Sequence, residues 1–89
     1  MTEELPLERR RYEAIAADLC VQLLLRGKEA GHFAMAADEL MLASRLSQDL
    51  FEMVITWAAE RDWLRARLPL IELKAAGIYV AKETLDLPR

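Results

Sequence analysis

Apolar residues recur every three or four positions between Tyr12 and Leu24, at Tyr12, Ile15, Ala16, Leu19, Cys20, Leu23 and Leu24. That spacing gathers them into one stripe of an α-helix and leaves Arg9, Arg10, Glu13 and Asp18 largely off it. Pro6 suits the opening of the helix, where a missing N–H costs nothing, and Glu8 lies near the positive end of the helix dipole. Gly27 and Gly31 bracket Lys28, Glu29 and Ala30, which predicts a helix stop and a loop.

A short strand is expected over His32, Phe33 and Ala34, pairing with a later ribbon. A second helix follows from about Ala36 to Ser44, with Leu40 and Ala43 facing inward and Asp38 and Glu39 in its first turn. Arg45 and Leu46 make a turn that lacks the glycine often found there. Ser47 then caps a third helix, and Asp49 complements its dipole. Helical rotation puts Leu50, Phe51, Val54, Trp57 and Ala58 on an inward arc. Gln48, Asp49, Glu52, Met53, Thr56 and Glu60 share the opposite one.

After Asp62 the period changes to near two: Leu64, Ala66, Leu68 and Leu70 alternate with Arg65, Arg67 and Pro69. Pro69 interrupts any helix and suits an edge strand. Two strands are predicted, Trp63 to Arg65 and Leu70 to Leu73, joined by a turn carrying Arg67. Lys74 to Glu83 reads as a closing helix packed through Ile78, Tyr79 and Val80, and 85–89 as a tail.

Eighty-nine residues suit a single small domain over 1–89, and 54% hydrophobic with 30% charged residues marks it as globular. The fold class expected is mainly α with a small β-ribbon. Three glycines and three prolines argue against a β-sandwich. A net charge of −3 is a poor global match to a polyanion. No apolar run approaches a bilayer span and Met1 to Leu7 is no secretory signal, so a cytoplasmic protein is expected.

Phe33 to Val80 resembles a winged helix-turn-helix domain. The likeness rests on Asp38-Glu39-Leu40, on Trp57-Ala58-Ala59-Glu60-Arg61-Asp62-Trp63-Leu64, and on Leu73-Lys74-Ala75-Ala76-Gly77. In bacterial members an acidic-leucine pair begins the second helix, an aromatic-leucine pair ends the recognition helix, and a leucine-x-x-x-glycine run follows the wing. The resemblance implies a three-helix core, a two- or three-stranded wing and a C-terminal helix. It also implies a small bacterial or phage-like DNA-binding regulator whose third helix enters the major groove of duplex DNA.

Carried over, Gln48, Asp49, Glu52, Met53 and Thr56 would face bases, Arg65 and Arg67 would be wing contacts, and Arg45 and Ser47 would lie near a phosphate. A homodimer would bring two basic wings together. From Glu29 to Glu60, however, six acidic residues accompany one basic residue, a balance of −5. Phosphate neutralisation dominates affinity for DNA, and this face opposes it. The alternative is a protein-interaction adaptor that docks a basic or apolar partner through Asp49, Glu52, Met53 and Glu60.

The remaining chemistry is sparse. Arg9, Arg10 and Arg11 beside Glu8 and Glu13 read as a solvated face. His32 has no second ligand at metal spacing, and Cys20, the only cysteine, lies on the apolar stripe as a core residue. Trp57 and Trp63 are expected to anchor the junction of third helix and ribbon. Met35, Met41 and Met53 are expected at the surface, Met53 with Thr56 forming an adaptable patch. No carboxylate is arranged with a histidine, nucleophile or glycine loop, so no enzyme, cofactor, metal or small-molecule substrate is expected.

Overall fold

The computed structural model describes the backbone of residues 4–30 and 33–86 and the side chains of residues 11–27 and 33–86. Helix α1 (Glu4–Ala30) carries the apolar stripe, and Ala16, Leu19, Cys20 and Leu23 are completely buried on it. The helix runs through Gly27 to Ala30, past the expected stop. Gly27 serves another purpose: the Phe33 ring occupies the space a Cβ would need. A close approach, not a turn, requires glycine there. His32 and the tail residues 87–89 lie outside the described residues, as do the side chains of Arg9 and Arg10.

Strand β1 (Ala34–Ala36) begins two residues later than expected, and Met35 points from it into the core, buried instead of exposed. Helix α2 (Ala37–Ser44) holds one fully buried side chain, Leu40. Ala43, expected inside, is exposed, because an eight-residue helix lying on the core presents little more than one turn to it. Arg45 ends α2 in the left-handed region (φ 59°), with Leu46 N–H donating to the Met41 carbonyl and Arg45 N–H to that of Leu42. The helix closure that favours glycine is here made by arginine.

Helix α3 (Gln48–Glu60) opens on Ser47, whose hydroxyl accepts from Leu50 N–H at 3.3 Å. It buries Phe51, Val54, Ile55 and Ala58. Its C-terminus repeats the α2 closure: Asp62 adopts φ 62°, and Trp63 N–H reaches the Ala58 carbonyl at 3.0 Å.

Strands β2 (Leu64–Arg67) and β3 (Leu70–Leu73) form an antiparallel hairpin about the Leu68–Pro69 turn. Arg67 therefore ends a strand instead of occupying the turn, and Trp63 precedes the strand. β1 pairs with β3 on its other side, giving the order β1-β3-β2. Met35, Ile71, Leu73, Leu64 and Ala66 share the inner face by register and alternation. Ala37 N–H donates to the Pro69 carbonyl at 2.8 Å, tying the hairpin turn to the start of α2.

Helix α4 (Ala75–Asp86) packs on α1, burying Gly77 and Ala81 with Ile78 and Val80 partly covered. Tyr79 does not pack inward; it is 65% exposed and its hydroxyl neighbours Glu83 on the next turn. The first two residues of the expected tail, Leu85 and Asp86, belong to this helix. The result is a mainly α fold with a small three-stranded antiparallel sheet. No helix among the described residues is long and apolar enough to cross a membrane.

Burial pushes the Cys20 thiol from an ordinary 9.0 up to about 12. A thiol whose pKa is higher in the folded chain favours folding while it is protonated. That contribution is whole below pH 9 and fades as the pH climbs through about 12. Wild-type urea midpoints should accordingly fall more steeply with pH in this window than those of Cys20→Ala. Parallel curves would show that Cys20 is not sealed from water.

Candidate functional site

The outward arc of α3 is a continuous polar ridge: Gln48, Asp49, Glu52, Met53, Thr56 and Glu60 are all exposed. A groove runs along each side of it. The first lies between α3 and α1, holds about 650 Å³, and is lined by Tyr12 and Trp57 as well as Asp49, Met53 and Glu60. The second, about 480 Å³, lies between α3, α2 and the β2–β3 hairpin. Glu52 and Thr56 line both and form the crest.

The first groove has an aromatic wall. Trp57 and Trp63 meet edge to face with centroids 5.1 Å apart, at the expected junction of α3 and the hairpin. Arg61 stacks over Trp57 at 3.8 Å from the ring centroid and donates to the Trp57 carbonyl at 3.0 Å. Its guanidinium is thus held against the Trp57 ring, 3.9 Å from the Glu60 carboxylate. The Tyr12 hydroxyl lies 3.9 Å from the Met53 sulfur and joins the opposite wall to α3. No described lysine or arginine lines either groove, whereas Asp38, Asp49, Glu52 and Glu60 do.

The residues expected to meet DNA are divided. Gln48, Glu52 and Thr56 share the α3 ridge, where Gln48 Nε2 donates to the Glu52 carboxylate at 3.2 Å. The Ser47 hydroxyl is used as the helix cap. Arg45 is exposed at the α2–α3 turn and lines neither groove. Arg65 and Arg67 project from the outer face of the hairpin, opposite Ala66 and Ile71. Arg65 stands across from Glu72, and Arg67 Nη1 is 4.0 Å from the Glu72 carboxylate. Asp49, Glu52, Met53 and Glu60, the residues expected to hold a protein partner, all line the α1–α3 groove.

Sequence reasoning missed Tyr12 and Trp57 as groove walls, having assigned both to the core. Their signal was chemical: each is an aromatic with a polar atom, the kind of side chain that covers apolar surface while one edge stays wet. No cluster of three metal-ligating side chains occurs among the described residues. No protein-family model, curated protein or solved structure matches this chain.

Proposed function

We propose that this chain is a winged helix-turn-helix domain working as a protein-docking module, with the α3 ridge and its acidic groove receiving a cationic segment of a partner. The element order α1-β1-α2-α3-β2-β3, with sheet order β1-β3-β2, supports the winged arrangement. The observation that carries the docking reading is electrostatic: Asp49, Glu52 and Glu60 border one groove that no described cation lines, Arg61 being stacked on Trp57 beside Glu60. A lysine-rich segment complements that groove, and Met53 and Trp57 offer apolar area to the methylene stems. An exposed arc with this charge repels a phosphate backbone.

Duplex DNA is the second reading, favoured by the element order and by the exposed arginines of the hairpin. It uses Gln48 and Thr56 toward bases and Arg45, Arg65 and Arg67 toward phosphates, as a transcriptional regulator would. Fluorescence anisotropy in low salt separates the two. A labelled helical lysine–alanine peptide should bind at micromolar protein while a random-sequence duplex does not. Asp49→Asn with Glu60→Gln should weaken the peptide by about tenfold, the sum of two exposed ion pairs of ordinary strength. Duplex binding that Arg65→Ala with Arg67→Ala diminishes, alongside no peptide binding, would replace docking with DNA recognition.

A further inference from the structure

The groove on the hairpin side of α3 differs from its neighbour. Its floor is apolar, made by Met41, Phe51, Ile55, Ala66 and Ile71, and its charged rim residues are Asp38 and Glu52. Ala66 is exposed although it lies directly across the ladder from Ile71, which is 1% exposed. The inner face of the hairpin therefore extends beyond the core. Leu68 continues that apolar edge at the turn, 78% exposed. Ala66 is a small, exposed side chain of the floor, so the slot stays open there for a guest side chain.

We propose that this slot is a second subsite of the docking surface, receiving an aliphatic side chain carried by the same lysine-rich partner segment. The inference rests on the docking reading above. Charge selects the occupant: the rim is anionic with no described cation, so an apolar side chain flanked by lysines fits and one flanked by carboxylates does not. The crest shared by the two grooves sets the arrangement. A segment crossing Glu52 and Thr56 places lysines on the α1 side and its aliphatic side chain on the hairpin side.

Two helical peptides test the assignment, one of lysine and alanine, the other with leucine replacing alanine along one face. The leucine peptide should bind about tenfold more tightly, the gain given by partial burial of a leucine. Ala66→Phe, which fills the slot, should abolish that gain and leave the lysine–alanine peptide unaffected. Asp49→Asn with Glu60→Gln should weaken both peptides equally. In wild-type protein the leucine peptide alone should shift the amide resonances of Ile55 and Ala66, a readout independent of how Ala66→Phe folds. If leucine adds no affinity, or its gain survives Ala66→Phe, the slot is not the receptor and docking in the acidic groove still stands. If neither peptide binds, both readings fall.

Discussion

Replacing Leu40 by alanine should lower the unfolding free energy by about 3 kcal/mol, within the range for a leucine removed from a sealed core. Leu40 is 0% exposed and is the one fully buried side chain of α2. Its loss leaves that helix held by the partly buried Ala37 and Met41, the Ala37–Pro69 hydrogen bond and the exposed Arg26–Glu39 ion pair. Small domains have only about 5–15 kcal/mol of net stability, so a loss of this size is easily measured by urea unfolding. The variant also distinguishes the two grooves. α2 forms one wall of the hairpin-side slot and no part of the α1–α3 groove. Leucine-dependent peptide affinity should therefore fall while lysine-dependent affinity persists. A stability loss below about 1 kcal/mol would mean that the site collapses readily and that Leu40 does not anchor α2.

The large elements were legible because their apolar periods are strong. The stripe from Tyr12 to Leu24 and the alternation after Asp62 both lie where the structure has helix and strand. Ser47 was readable for a local reason, since a cap depends on one hydroxyl and one turn of backbone. Features controlled by distant contacts were not readable. Gly27 looks like a stop in one dimension, and only the Phe33 ring explains why glycine is needed within a helix. Met35 and Ala43 exchanged places for a related reason: a three-residue strand and an eight-residue helix are too short for their period to identify the inner face. The acidity of α3 was visible as a count along the chain. Its division into two grooves required the packing of α1 and the hairpin against opposite sides of one helix.

Strand parity has a larger consequence for the arginines. Arg65 and Arg67 are two residues apart, so they share a face, and that face is opposite the one carrying Ala66 and Ile71. Glu72 is on the arginine side by the same register. The chain's most conspicuous cations are therefore partly countered at their own strand and directed away from the slot beside α3. A slip of one residue in register would have exchanged these faces and placed both arginines over α3. Buried Leu64 opposes that slip of β2, since it would be carried to the outer face while Leu73 lost its partner across the ladder.

Gly77→Ala should destabilise the fold by about 2 kcal/mol, against the direction of helix propensity. In a helix, alanine in place of glycine ordinarily gains up to about 1 kcal/mol. At Gly77 a Cβ would run into the Trp63 carbonyl oxygen and lie 2.7 Å from Leu73 Cδ1. The carbonyl cannot yield freely, because it accepts from Lys74 N–H at 3.0 Å where the hairpin meets α4. Relief requires α4 to move away from the base of the hairpin, which separates Ala81 and Ile78 from their packing. Ala76→Gly supplies the comparison one residue earlier, at an exposed position. It should cost at most about 1 kcal/mol through propensity alone. Neighbouring positions of one helix thus respond with opposite preferences for the same pair of residues, as urea unfolding followed by tryptophan fluorescence can show. An increase in stability for Gly77→Ala would mean that α4 does not approach Trp63 closely enough to require glycine.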